Sequence, residues 1–235
     1  MLQPMPHIVA IIPAAGVGSR MKADIPKQYL TIGNQTILEH TLSVLDKVQY
    51  INEIVLVVAS HDSYLDDIKE NFCRLTKPIK TVVGGQERVD SVLAGLNALP
   101  KDAWALVHDA ARPCVLVKDI EQLIETCLSQ NMGGILASRV KDTMKRSIKG
   151  SNQITETVSR DNLWHALTPQ LFPTHQLVAS IELSQKHNAT VTDEASAIEF
   201  AGGQVLMCES SATNLKITTP DDLQLATLIL NAKQM

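Results

Sequence analysis

Short runs of almost uninterrupted apolar residues alternate with stretches of helical periodicity along most of this chain. The runs are HIVAII (7–12), EIVLVVA (53–59), KTVV (80–83), AWALVH (103–108) and GGILAS (133–138). A strand with one wet face alternates apolar and polar residues, whereas one that is apolar at nearly every position is covered on both faces. Helical stretches fall at about 36–47, 62–72, 87–99 and 117–130. In the last of these Ile120, Leu123, Ile124 and Leu128 share one face. This alternation predicts an α/β fold, Rossmann-like and three-layered, with a mostly parallel central sheet between helices. Two more helices are expected near the end. TDEASAIEFAGG has Thr192 as N-cap and Gly202 at its close, and TTPDDLQLATLILNAK has Thr219 as N-cap, Pro220 at N1 and Asp222 at N3. The 235 residues contain no internal repeat and no linker, so residues 1–235 read as one domain.

Composition narrows the function. A net charge of −4 argues against a general polyanion binder but leaves room for a local basic pocket. Aromatics at 3% are too few for base-stacking platforms, so nucleic acid is not an expected partner. Cys73, Cys114, Cys127 and Cys208 occur singly, without the spacing of a zinc or redox motif, and read as reduced thiols. The opening MLQPMPHIVAII lacks a basic flank, and no apolar run is long enough to span a bilayer. The expectation is a cytoplasmic protein with no membrane partner.

Residues 139–161 break the rhythm. TMKRSI and QITETV flank KGSN, a turn sequence, which predicts a β-hairpin. An isolated hairpin is marginal in water and needs something to lie on. The segment carries Arg139, Lys141, Lys145, Arg146, Lys149 and Arg160 against Asp142, Glu156 and Asp161. Two readings stay open: a solvated charged arm, or a dimerisation arm that delivers cations to a site.

The first βα junction, PAAGVGSRMKADIPKQYL, carries the strongest chemical signal. A dinucleotide fingerprint needs a third glycine where Met21 stands, and an acid at the end of the second strand, where none occurs before Asp62. No Walker string occurs either. Gly16 and Gly18 nevertheless allow backbone N–H groups close to an anion, Arg20 can fork two phosphate oxygens, and Lys27 adds a point charge. Pro26 ends the turn so that Lys27 can fold back toward the same phosphates. The alternative is a tight turn with two surface cations.

Asp109 follows an apolar strand in LVHDAARP, with Arg112 close behind. Ligands of open α/β sheets lie beyond the carboxyl ends of strands, and Mg²⁺ takes one or two carboxylates plus substrate phosphates, so Asp109 is a candidate metal ligand. A helix-capping aspartate is the competing reading. The neighbouring His108 reads as structural. VVGGQERVDSVLAGL places Gly84 and Gly85 before a helix whose first turns hold Ser91, which reads either as backbone freed to meet a planar base or as a glycine-rich turn capped by polar residues. Lys216 lies in NLKITT, which reads as a short strand with Leu215 and Ile217 pointing the other way, so that the lysine faces solvent as readily as a site.

Taken together, PAAGVGSRM, PKQYL, GGQERVDSVLAGL, HDAARP, DTMKR, LWHALTPQ and TDEASAIE resemble the 2-C-methyl-D-erythritol 4-phosphate cytidylyltransferase family, in order from about residue 7 to 230. The resemblance implies a nucleotidyltransferase fold that converts CTP and the sugar-alcohol phosphate, with Mg²⁺, into 4-diphosphocytidyl-2-C-methyl-D-erythritol and pyrophosphate. It further implies that Ala14, Ala15 and Gly16 line the triphosphate while Arg20 and Lys27 stabilise its developing charge. Gly85, Gln86 and Ser91 match positions that read cytosine and ribose; the family often has an acid where this chain has Gln86. Asp109 matches a metal-associated aspartate, with Ala110 beside the nucleotide. Arg112, Thr143, Arg160, Thr168 and Lys216 match positions around the methylerythritol phosphate, with Arg160 and Lys216 orienting it for attack. By the same resemblance the 139–161 arm interlocks two subunits of a homodimer, and Thr143 and Arg160 act across it.

Three competing readings remain. Ribitol-5-phosphate cytidylyltransferases share the fold and a similar aspartate motif, but their loop tends to read LAGG and they lack WHAL. A non-catalytic nucleotide-binding module would not need Arg20, Lys27 and Asp109 together. A dinucleotide oxidoreductase is disfavoured by Met21 and the missing acid.

Overall fold

A computed structural model describes residues 5–16, 21 and 25–232. In chain order the elements are β1 (Ile8–Pro13), β2 (Thr31–Ile32), β3 (Gln35–Thr36), α1 (Ile37–Asp46), β4 (Glu53–Val58), α2 (Ser63–Ile68), β5 (Ile79–Val83), α3 (Arg88–Leu96), β6 (Trp104–Val107) and α4 (Val117–Gln130). They continue with β7 (Gly134–Arg139), β8 (Met144–Ser147), β9 (Ile154–Val158), β10 (Trp164–Pro173), α5 (Thr174–Lys186), α6 (Glu194–Phe200), β11 (Leu206–Glu209) and α7 (Pro220–Ala232).

Among the described residues the main sheet has seven strands in the order β11-β7-β10-β6-β1-β4-β5. β1 pairs in parallel with both β4 and β6, β4 with β5, and β11 with β7. β10 runs antiparallel between β6 and β7. The expected three-layer, mostly parallel fold is therefore present, with one reversed strand.

The uninterrupted apolar runs have a plain physical basis. Successive side chains of a strand point to opposite faces, and both faces of the central strands are covered; the expectation fails for KTVV, because β5 lies at the sheet edge and is largely exposed, Val83 at 59%. Ile8, Ala10 and Ile12 of β1 pack with Leu38 and Leu42 of α1 and Leu123 of α4. Val9 and Ile11 face the other way, toward Val92 and Leu96 of α3, Leu177 of α5 and Ile198 of α6. α3 approaches closely because residue 95 is glycine: a Cβ there would lie 2.7 Å from Ile11 Cγ2 and 3.0 Å from Val57 Cγ2. A third cluster joins Met21, Ile32, Ile37, Ala111, Cys114 and Ile217 beneath Ala226 and Leu230 of α7.

Several local expectations hold. α4 buries Ile120, Leu123, Ile124 and Cys127 and ends at Asn131 with φ +48°, a left-handed cap that asparagine tolerates well. α7 starts at Pro220, with Thr219 N–H donating to Asp222 Oδ2 and Asp222 N–H to Thr219 Oγ1. β8 and β9 form a separate two-stranded hairpin whose turn contains Gly150 at φ +79°. The hairpin exposes Ile148 and Ile154, and at its base the Arg139 guanidinium lies 4.3 Å from the Trp164 ring centroid.

Other expectations are corrected. The helix expected at 62–72 is α2, which tightens into a 3₁₀ segment over Lys69–Arg74. α6 is capped by Asp193, not Thr192, because the Asp193 carboxylate accepts from Ser196 N–H. Lys216 does not lie in a strand; its segment is irregular and is pinned by Ile217 N–H donating to Ala111 O. β10, α5 and β11 extend the architecture beyond the expected elements.

Candidate functional site

The site lies beyond the carboxyl ends of β1, β5 and β6. Chain leaving β1 passes through Ala14, whose N–H still donates to Val57 O at 2.7 Å, and on to Ala15 and Gly16. A 3₁₀ turn over Lys27–Tyr29, entered through Pro26, brings the chain back. Buried Gln28 then clips the loop: its Nε2 donates to Ala14 O at 2.6 Å and Gly16 O at 3.1 Å. Lys27 projects to the cavity wall and its Nζ donates to Ile217 O at 3.0 Å. Pro26 thus precedes the turn that brings Lys27 to the cavity wall; Gly18 and Arg20 lie outside the described residues.

These segments enclose a cavity of about 180 Å³. Ala14, Ala15, Gly16, Lys27, Gly85, Gln86, Ser91, Asp109, Ala110 and Lys216 all line it. Gly85 has a packing reason as well as an open face: a Cβ there would sit 2.3 Å from Asp90 Cβ. An adjoining recess of about 260 Å³ holds Arg112, Thr168 and Gln170. Arg88, Asp109 and Lys216 belong to both walls. Thr143 and Arg160, which the resemblance places around the substrate phosphate, line neither; both are exposed on or beside the arm, where Arg160 donates to Lys141 O.

Asp109 is the hub. Its Oδ2 takes Lys216 Nζ at 2.9 Å and Arg112 Nε at 3.1 Å, and its Oδ1 takes Arg88 Nη2 at 3.3 Å. Burial alone would push its carboxyl upward, but Arg88, Lys216 and Arg112 outweigh that and hold it well below the usual carboxylate range. Its N–H donates to Thr168 Oγ1 at 3.1 Å, so β10 fixes the backbone beside it. His108 is fully buried, with Nδ1 3.0 Å from Thr168 Oγ1 and Nε2 3.2 Å from Arg112 O. Burial pushes its imidazole down to about 4, which keeps it neutral and structural, as expected.

Asp109 is also the metal candidate. Among the described residues no three His, Cys, Asp or Glu side chains cluster to hold an ion. One ionised carboxylate at the cavity wall suits Mg²⁺ that takes its other ligands from phosphates and water. Both Asp109 oxygens carry ion pairs, so a metal contact there requires exchange with a cation such as Lys216.

Gln28, Arg88 and Glu194 were not among the sequence candidates. Gln28 stands next to Lys27, and Arg88 lies between Gln86 and Ser91, so their neighbours were the available signal. Glu194 reads from sequence as a first-turn acid suited to the helix dipole. Its carboxylate in fact clasps Arg88, with Nη1 at 2.6 Å and Nη2 at 3.3 Å.

Comparison with known proteins identifies the family of the whole chain. The IspD family model, 2-C-methyl-D-erythritol 4-phosphate cytidylyltransferase, matches residues 8–232. A protein of that name from Alteromonas mediterranea is 49% identical over 97% of this chain and 94% of its own. One from Shewanella amazonensis is 50% identical over 97% of this chain and 94% of its own. Among solved structures, the Francisella tularensis 2-C-methyl-D-erythritol 4-phosphate cytidylyltransferase superposes with a TM-score of 0.78 at 37% identity, over 95% of this chain and 99% of that one. A 4-diphosphocytidyl-2C-methyl-D-erythritol synthase gives 0.81 at 35% identity, over 96% and 99%. With matches that run almost from end to end, the chain belongs to the 2-C-methyl-D-erythritol 4-phosphate cytidylyltransferase family.

Proposed function

We propose that this chain transfers a cytidylyl group from CTP to 2-C-methyl-D-erythritol 4-phosphate, and that Lys27, Asp109 and Lys216 act where the two substrates meet. The observation that carries the reading is the common wall of Arg88, Asp109 and Lys216 between a glycine-rimmed cavity and a recess bearing Arg112 and Thr168. Two anionic substrates must share an electropositive boundary before one phosphate can attack the other.

An oxygen of the monoester phosphate attacks the α-phosphorus of CTP. The bond from that phosphorus to the bridging oxygen breaks, and pyrophosphate leaves with the electron pair. A phosphate monoester with a second pKa of about 6 is mostly ionised at neutral pH, so a general base is unnecessary. Positioning and charge stabilisation are what the protein supplies. In this reading Ala14, Ala15, Gly16, Gly85, Gln86, Ser91 and Ala110 form the nucleotide cavity. Lys27, with Arg20, meets the triphosphate. Arg112, Thr168 and Lys216 hold the second phosphate. Mg²⁺ is proposed with Asp109 as its protein ligand, and when bound it would neutralise triphosphate charge.

We further propose one cytoplasmic cytidylyltransferase domain whose 139–161 arm pairs two subunits. The exposed Ile148 and Ile154, and the position of Thr143 and Arg160 away from the cavity of their own chain, support that pairing. Incubation with CTP, Mg²⁺ and either 2-C-methyl-D-erythritol 4-phosphate or ribitol 5-phosphate, with pyrophosphate measured, tests the function. Release is expected with the former. Release with ribitol 5-phosphate alone would overturn the substrate assignment, and release with neither would leave a binding module.

A further inference from the structure

Arg88 stands in the wall between the two recesses, yet its shortest contact points away from them. Glu194 Oε1 lies 2.6 Å from its Nη1, while its contacts to Asp109 Oδ1 are 3.3 and 3.4 Å. Glu194 is 3% exposed, and it begins a helix whose end is anchored independently. Gln170 Nε2 donates to Asp193 Oδ2 at 2.9 Å, and Ala195 N–H donates to Gln170 Oε1 at 2.9 Å. The carboxylate of Glu194 therefore sits on a braced platform, joined to β10 two residues beyond Thr168.

We propose that Glu194 is a positioning residue for the transfer, acting through Arg88. The inference rests on the reaction proposed above. By clasping Arg88 from behind, Glu194 fixes the plane of the guanidinium and keeps it from closing fully onto Asp109. Without that grip Arg88 would turn toward the nearest remaining carboxylate, Asp109, and compete with Lys216 and Arg112 for it. Because Arg88, Asp109 and Lys216 border both substrates, the disturbance falls on the approach of one phosphate to the other. Displacements of about 1 Å at such a boundary cost on the order of 100-fold in rate.

The test uses Glu194→Gln, Glu194→Asp, Arg88→Met and the Arg88→Met/Glu194→Gln pair, with Glu199→Gln on the exposed side of α6 as control. Pyrophosphate release is followed with CTP and methylerythritol phosphate varied separately, alongside thermal unfolding. Glu194→Gln is expected to lower kcat by about 10- to 100-fold, with KM for CTP within about twofold of wild type and unfolding little changed. Glu194→Asp, which keeps the charge at shorter reach, is expected to fall between, and it remains informative if the glutamine variant folds poorly. The double variant should be no slower than Arg88→Met alone, since the second change then has nothing left to remove. A kcat for Glu194→Gln close to wild type, or additive losses in the pair, would overturn the inference while leaving the reaction standing. A wild-type chain that releases no pyrophosphate from this substrate pair would sink both.

Discussion

Replacing Gln28 with Leu removes two donors from beneath the Ala14–Gly16 backbone and leaves the side-chain volume nearly unchanged. Gln28 is 4% exposed, and the carbonyls it serves, Ala14 O at 2.6 Å and Gly16 O at 3.1 Å, are not equivalent. Gly16 is exposed, so water can replace the lost bond there. Ala14 is 2% exposed, so its oxygen loses this partner with little water at hand to replace it. A buried acceptor stripped of its donor costs about 1–3 kcal/mol, so the variant should lose about 2 kcal/mol of stability. If the same loosening is felt in full by bound nucleotide, kcat/KM for CTP falls about 30-fold, since each 1.4 kcal/mol is a factor of ten. Urea unfolding and initial rates of pyrophosphate release measure the two effects. A variant as stable and as fast as wild type would show that Gln28 does not hold the loop. A loss of stability with unchanged kcat/KM would confine its role to folding.

Lys27→Met should fold normally by circular dichroism and lose at least about 100-fold in kcat, the scale seen when one donor to a developing charge is removed; near-normal turnover would refute its role. Removing residues 143–157 should yield a monomer in analytical ultracentrifugation, with a raised KM for methylerythritol phosphate, whereas an intact and active dimer would refute the arm's role. His108 supplies a pH signature. Its imidazole titrates at about 4 in the folded chain against an ordinary 6.5, so below 6.5 the unfolded chain takes up a proton that the folded chain refuses. Stability therefore falls as pH drops through that window, by about 3 kcal/mol in all. In metal-free buffer, wild type should lose that much more stability between pH 7 and 4 than His108→Gln, and parallel curves would refute the assignment.

Much of the fold was legible because burial on both faces leaves a simple trace. β1, β4, β6 and β7 are buried over most of their length and stand out as apolar runs. β10 hides itself. Its sequence WHALTPQLFP contains Pro169, which argues against a central strand, and the structure accommodates it where the register against β7 shifts between Ala166 and Gln170. α5 buries Ser180 and Ser184 beside Leu177 and Ile181, so its inner face does not read as apolar, and no side chain caps its start.

The site was legible in the same uneven way. Lys27, Asp109 and Lys216 converge, and Lys216 points away from buried Ile217 as its flanks implied, even without a strand to hold it. Arg88 and Glu194 escaped because their meaning depends on a pairing across 106 residues, which no local pattern encodes. Gln28 escaped because a buried glutamine looks like any other until the carbonyls it serves are seen.

The bond from Lys27 to Ile217 joins residues 190 apart, and the segment that carries Lys216 is sealed by Ala226 and Leu230 of the final helix. A ribosome delivers Lys27 long before Lys216. The sheet strands β1, β4 and β6 can therefore assemble around a pocket whose electropositive boundary is still missing a member. Competence arrives with the C-terminal segment: a nascent or truncated chain ending before residue 216 presents the cavity without the lysine of its wall.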